Sequence, residues 1–176
     1  MLYQVKIGEL IRDLPICPIG TDVSIAFLDV LGDVELLDAF AESLRPRLQN
    51  IDVLFCGDTV GLVVGHHLSL RLSIPYVAAR KRRTPDMVDE PITADSHSIA
   101  ANSASTFFLA AHKAKLLADR RVCVVDEVTS TGSTVQALRS IAEQSQCASV
   151  MTAVVATEGR TDHDAIALAH LPVFGS

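Results

Sequence analysis

The sequence predicts an α/β fold, a single domain over residues 1–176 built on a central parallel sheet flanked by helices. Three observations predict it. Short apolar runs at residues 51–56, 122–125 and 149–157, the second mostly β-branched, have the pattern of buried strands. The first two runs are each followed by a turn of small residues and then by apolar residues at helical spacing. A chain of 176 residues that is 49% apolar suits one domain with one full core.

In chain order, residues 1–20 are mixed, with Gly8, Pro15, Pro18 and Gly20 as breakers, and read as an arm laid on the core. Residues 23–31 read as a strand and residues 34–48 as an amphipathic helix, with Asp33 as its cap. After the strand at 51–56 come the turn Gly57-Asp58-Thr59-Val60-Gly61, a helical run over 62–72, and a strand over 74–79. That is a βαβ unit, and two such units predict parallel pairing. Arg80, Lys81, Arg82 and Arg83 follow at the strand's carboxyl end. A charge run alone is a solvated face, which remains the reading for Arg82 and Arg83. From Thr84 to about Ser105 the pattern is polar and irregular, and a connection this long is functional or disordered. Residues 106–111 read as a returning strand and residues 164–169 as a short helix after a turn at Glu158-Gly159-Arg160. The chain closes on an apolar tail, Leu171-Pro172-Val173-Phe174.

The most informative stretch is residues 122–134. Its strand runs into two adjacent acids, Asp126 and Glu127, and then into Thr129, Ser130, Thr131, Gly132, Ser133 and Thr134 before a helix begins. A loop of small residues at a helix N-terminus gathers backbone N–H donors and the positive end of the helix dipole, which suits a phosphate monoester. Hydroxyls add donors without bulk, and glycine lets backbone approach the ligand. Acids there would repel the phosphate itself. They serve if they accept hydrogen bonds from sugar hydroxyls or hold a divalent cation.

A net charge of −6 argues against a general nucleic-acid binder. No apolar run approaches the length of a membrane span, and the N-terminus does not read as a signal peptide. Cys17, Cys56, Cys123 and Cys147 have no metal-binding spacing and read as reduced thiols of a cytoplasmic protein.

The motif at 122–134 resembles the signature of type I phosphoribosyltransferases, two acids followed by a Thr-Gly-Gly-Thr-like loop, with Glu127 and Ser133 as conservative departures. Over nearly the whole chain the likeness is to adenine phosphoribosyltransferase and its close relatives. The resemblance implies transfer of 5-phosphoribosyl from phosphoribosyl pyrophosphate (PRPP) to a purine base, adenine foremost, with Mg²⁺ as cofactor. It implies that Thr129, Ser130, Thr131, Gly132, Ser133 and Thr134 bind the 5′-phosphate. Asp126 and Glu127 would hold the ribose hydroxyls and, with Lys81, form the catalytic group; Asp126 is also the candidate for touching Mg²⁺ carried by PRPP. Asp58, Thr59, Val60 and Gly61, with Arg80 and Lys81, would face the pyrophosphate, although Val60 stands where relatives carry a cation. Ile11 and Arg12, in a Phe-Arg-Asp-Ile-like element, and Val128 would meet the base. Residues 1–20 would form a hood and residues 82–106 a flexible lid whose Ser98-Ile99-Ala100-Ala101 lacks hydroxyls found in some relatives. A homodimer is expected by the same resemblance. Val60 and that lid also suit a second reading, a PRPP-binding regulator without turnover, and a third, transfer to an unusual acceptor.

Overall fold

The computed structural model describes residues 1–98, 103–159 and 164–175. Ile99, Ala100 and Ala101 of the expected lid, and Arg160 of the expected turn, lie outside the described residues.

A five-stranded, wholly parallel sheet forms the centre. Its members are β4 (Val53–Gly57), β5 (Tyr76–Ala79), β8 (Arg121–Thr129), β9 (Ser149–Glu158) and β10 (Ile166–Leu171), in the spatial order β10-β9-β8-β4-β5. Alternate residues of the middle strands face opposite layers. Leu54, Cys56, Cys123 and Val125 pack toward α1 (Val34–Leu44) and α2 (Val60–Leu72). Val53, Phe55, Val122 and Val124 pack toward α4 (Ser133–Gln144) on the other side. Both faces are therefore dry, which is why these strands read as continuous apolar runs.

A second sheet is antiparallel, in the order β1-β2-β3-β11, with β1 (Leu2–Ile7), β2 (Leu10–Pro18), β3 (Val23–Ala26) and β11 (Val173–Gly175). The arm expected over residues 1–20 is thus a hairpin, closed by a turn in which Gly8 takes φ +62°. The prolines concealed it. Pro15 is the last residue of β2 paired with β1, and Pro18 is the last paired with β3. A ladder end tolerates the missing N–H.

Two further expectations need correction. Residues 164–169 are not a helix; β10 pairs in parallel with β9 from Ile166↔Ala153 to Leu171↔Glu158. The alanine-rich run favours a helix locally, but the open edge of β9 offers a full set of ladder hydrogen bonds, and tertiary pairing wins. The stretch 84–105 is not irregular throughout. β6 (Ile92–Ser98) and β7 (Ser103–Leu109) form a hairpin paired from Ile92↔Leu109 to Ser98↔Ser103. Its polarity misleads because Thr93 and Asp95 point outward while the inward positions after Ile92 are Ala94 and Ser96.

Asp33 caps α1 as expected, its Oδ1 accepting the Leu36 N–H at 3.0 Å. Arg12 of β2 grips the same end. Its Nε donates to Asp33 Oδ2 at 2.7 Å, and its Nη2 donates to Asp33 Oδ1 at 3.0 Å and to Glu35 Oε2 at 2.7 Å. The guanidinium holds the Asp33 carboxyl below the usual carboxylate range. A carboxyl lowered on folding stabilises above its ordinary pKa, and that contribution is lost as pH falls through the folded value. Arg12→Gln is accordingly expected to cost about 1–3 kcal/mol at pH 7. Thermal melts of both proteins should draw together as the pH is taken below the usual carboxylate range; a pH-independent gap would show that the ion pair is not the cause.

Candidate active site

The carboxyl ends of β4, β8 and β9, the residues after β3, and the β6–β7 hairpin enclose one cavity of about 390 Å³. β8 runs further than its apolar core, so Asp126, Glu127 and Val128 are strand residues that carry their side chains to the sheet edge. Asp126 is buried, and its Oδ1 accepts the Glu127 N–H at 3.0 Å. Helix α2 comes very close here. A methyl group on Gly61 would lie 2.8 Å from Asp126 Oδ1, and one on Gly65 would lie 2.8 Å from Cys56 Sγ. Two glycines one turn apart let the helix lie flat on the strands and leave room for the carboxyl.

Burial pushes the carboxyl groups of both Asp126 and Glu127 upward. The Asp126 charge raises Glu127 further, and Lys81 pulls both back down. Lys81 lines the cavity, with its Nζ 5.8 Å from the centre of the Phe107 ring. It is the one cation on the cavity wall among the described residues, against four acids, Asp58, Asp126, Glu127 and Glu158.

The turn after β4 is bound to the end of β5. Asp58 Oδ2 accepts Arg80 Nε–H at 2.9 Å and the Lys81 backbone N–H at 3.2 Å. The Asp58–Thr59 peptide is cis. Asp58, Thr59 and Gly61 line the cavity. Val60 does not; its side chain packs on the core cluster shared by α1 and α2. Arg80 does not line it either, since its side chain is committed to Asp58.

Thr129 to Thr134 all border the cavity and lead into α4. Gly132 stands just before the helix with φ +81°, a conformation that side chains resist, and its carbonyl accepts the Gln136 N–H at 2.8 Å. Thr131 Oγ1 accepts the Ser133 N–H at 3.4 Å. The loop is buttressed by the hairpin, where Ser96 Oγ lies 3.3 Å from Thr134 Oγ1 and 3.5 Å from Ser133 Oγ.

Val128 lines the cavity, but Ile11 and Arg12 do not. Ile11 is 61% exposed and Arg12 is spent on Asp33 and Glu35. The apolar wall comes from Ile19, Ile25, Phe27 and Leu28 instead. Sequence reasoning missed these four, together with Ser96, Ser105 and Glu158. Glu158 had a usable signal, an acid at the carboxyl end of a predicted strand, as Asp126 is. Phe27 had a weaker one, an aromatic just past a strand.

Among the described residues no cluster of three His, Cys, Asp or Glu could hold a metal by itself. Asp126 and Glu127 offer hard oxygen donors, which suits Mg²⁺ arriving with a phosphate ligand rather than a caged ion.

A raised carboxyl binds more protons folded than unfolded, so its burden on stability is absent at low pH and grows as pH climbs above the ordinary carboxyl range. Asp126→Asn and Glu127→Gln are therefore each expected to be more stable than wild type at pH 8, by on the order of 1–3 kcal/mol. The gain should vanish near pH 4. Melts over that range would refute the charge burden if either variant were less stable at pH 8.

Comparison with known proteins adds a sequence and a structural likeness. The phosphoribosyl transferase domain model matches residues 35–168. An adenine phosphoribosyltransferase of Mycobacterium tuberculosis is 29% identical over 171 residues, covering 95% of this chain and 76% of its own. A xanthine phosphoribosyltransferase of Bacillus licheniformis is 27% identical over 121 residues, covering 68% of this chain and 61% of its own. The crystal structure of the Trypanosoma brucei adenine phosphoribosyl transferase, in complex with AMP, pyrophosphate and ribose-5-phosphate, superposes with a TM-score of 0.62 at 18% identity. That superposition covers 82% of this chain and 69% of that one.

Proposed function

The chain belongs to the phosphoribosyl transferase domain family, and we propose that this phosphoribosyltransferase moves the 5-phosphoribosyl group of PRPP to a purine base, adenine foremost, releasing pyrophosphate. One observation carries the reading. The acid pair Asp126–Glu127, the hydroxyl loop Thr129–Thr134 and an apolar wall ending in Phe27 open into a single cavity.

In this reading the loop's N–H groups and hydroxyls anchor the 5′-phosphate, aided by the N-terminus of α4. Asp126 and Glu127 accept hydrogen bonds from the ribose hydroxyls one strand-step away. Their negative field favours positive charge developing on the sugar ring as the bond to pyrophosphate breaks. Asp58, Thr59 and Gly61 present the turn after β4 to the pyrophosphate. Arg80 serves by holding Asp58 in place, and Lys81 supplies the cationic contact. Bound Mg²⁺ would offset charge on the pyrophosphate as it leaves. Phe27, 48% exposed at the cavity wall, offers a face on which a purine stacks, with Ile25, Leu28 and Val128 around it. The base nitrogen attacks the anomeric carbon, and the loss of a proton leaves a neutral nucleotide base. Much of the rate comes from holding these parts in line.

A regulator that binds PRPP without turnover draws on one observation, an acidic wall on which Lys81 is the one cation among the described residues. Both readings are compatible with a cytoplasmic homodimer. The exposed Val63 and Leu70 of α2, with Tyr76 of β5, supply apolar surface for a partner copy, and the four cysteines are free thiols.

Purified protein with PRPP and Mg²⁺ is expected to release pyrophosphate and form AMP from adenine, with hypoxanthine, guanine and xanthine poorer by an order of magnitude or more. Phe27→Ala should raise the KM for the base about tenfold or more and leave the KM for PRPP within about twofold. Absence of product from every purine, with PRPP binding intact by calorimetry, would hand the protein to the regulator reading. An equal rise in both KM values would remove Phe27 from the base subsite.

A further inference from the structure

We propose that Glu158 selects the acceptor base, its carboxylate accepting a hydrogen bond from an amino group on the purine edge and repelling a carbonyl there. The inference rests on the reading of the cavity as a purine phosphoribosyl site.

Among the described residues, Glu158 is the one cavity carboxyl to which that mechanism gives no work. Asp126 and Glu127 face the ribose, and Asp58 is held by Arg80 and Lys81. Glu158 closes β9, and strand register fixes where it sits. Thr129 pairs with Thr157, so Glu158 lies beside Ser130 at the root of the phosphate loop. The Ser130 hydroxyl donates to its carboxylate. On the other side Glu158 pairs with Leu171, and Gly159 donates its N–H to the Leu171 carbonyl at 3.0 Å. Two residues on, Val173 pairs with Ile25 of the apolar wall, and a methyl group on Gly159 would meet Val173 Cγ2 at 2.9 Å. The carboxylate therefore stands between the loop that grips phosphate and the wall that receives the base.

Its surroundings leave it underused. Glu158 is 7% exposed, and among the described residues no Lys or Arg forms an ion pair with it. A carboxylate can accept about four hydrogen bonds, and Ser130 accounts for one. Burial raises its pKa, with the Ser130 hydroxyl and, less strongly, the His170 charge acting against that. A carboxyl buried this way costs stability, and an N–H from a ligand is the group that would offset the cost. An ionised carboxylate only accepts, so a purine with an exocyclic amine is matched and a purine with a carbonyl in its place is mismatched. Sites built on one buried polar contact discriminate strongly, because the wrong ligand leaves that group unpaired.

The test needs no turnover. AMP and IMP share ribose and 5′-phosphate and differ at the six-position of the purine, so the ratio of their dissociation constants isolates base selection. Calorimetry on wild type should show AMP about tenfold or more tighter than IMP. Glu158→Gln, nearly isosteric and able to donate, should bring the ratio to parity or reverse it, while ribose 5-phosphate binds within about twofold of wild type. Glu158→Ala should lose the preference without reversing it, and a thermal melt on each variant confirms the fold. An unchanged ratio, or equal weakening of both nucleotides, would overturn the proposal and reduce Glu158 to a support for Ser130. A wild type that prefers IMP would overturn it as well. If wild type binds neither nucleotide nor ribose 5-phosphate, the reading of the whole cavity falls and Glu158 with it.

Discussion

Two carboxyl groups on adjacent residues of a central strand set the terms for everything around them. Asp126 and Glu127 sit where β8 leaves the sheet, in a place that pushes both toward the neutral form. Burying charge without a matched partner is costly, and the fold surrounds the pair with provisions that make it tolerable. Gly61 and Gly65 let α2 lie against the strand without displacing Asp126. Lys81, delivered from the end of β5, is the cation whose field reaches both acids. The Glu127 N–H satisfies one Asp126 oxygen. None of these would be needed if the acids served stability. An amide pair would sit there more comfortably, so stability does not account for the acids.

How much of this is legible in the sequence depends on how local each feature is. The stretch 122–134 is legible because a doubly buried parallel strand must be apolar throughout, and a helix must change the period from two to 3.6. Thr129 to Thr134 border the cavity for that reason, as the residues between one pattern and the next. The Asp33 cap is legible too, since capping is settled within three residues. The antiparallel parts are legible only in pieces, in β3 and the end of β7. Pro15 and Pro18 disguise β2, and Ser96 disguises β6, because an inward serine looks like an outward one until its partner is known. Ser96 answers to Ser133 and Thr134, nearly forty residues away, and no window of sequence contains both.

The same reasoning explains why Ile11 and Arg12 mislead and Phe27 hides. Ile11-Arg12-Asp13 is a recognisable short pattern, yet the arginine is consumed by Asp33 and Glu35 at the start of α1. Its local identity says nothing about which acid it will find. Phe27 acquires its place from strands far apart in the chain. β3 is pinned on one edge by β2 and on the other by β11, the last strand described, and only that closure holds the residues after β3 over the ends of β8 and β9. A wall assembled from both ends of the chain leaves no mark in either segment alone.

The hairpin β6–β7 follows from this as a wall of the cavity in its described part. Its base is tied to the segments around the cavity, besides the Gln144 side chain of α4 that donates to the Thr93 carbonyl at 3.3 Å. Arg80 and Phe108 exchange backbone hydrogen bonds at 2.8 Å, Phe107 lies under Lys81, and Ser96 meets the loop after β8. Phe107 is also the reason that Gly57 is a glycine, since a methyl group there would fall 2.6 Å from the ring. The hairpin therefore touches the turn after β4, the cation after β5 and the loop after β8. These are the three segments that the proposed reaction assigns to pyrophosphate, to charge balance and to the 5′-phosphate. A shift of the hairpin base would disturb all three together. The polar character that made this stretch look like a loose connection brings Ser96 and Ser105 to the cavity wall, and its ladder of backbone pairs, running from Ile92↔Leu109 upward, keeps that polar side in place.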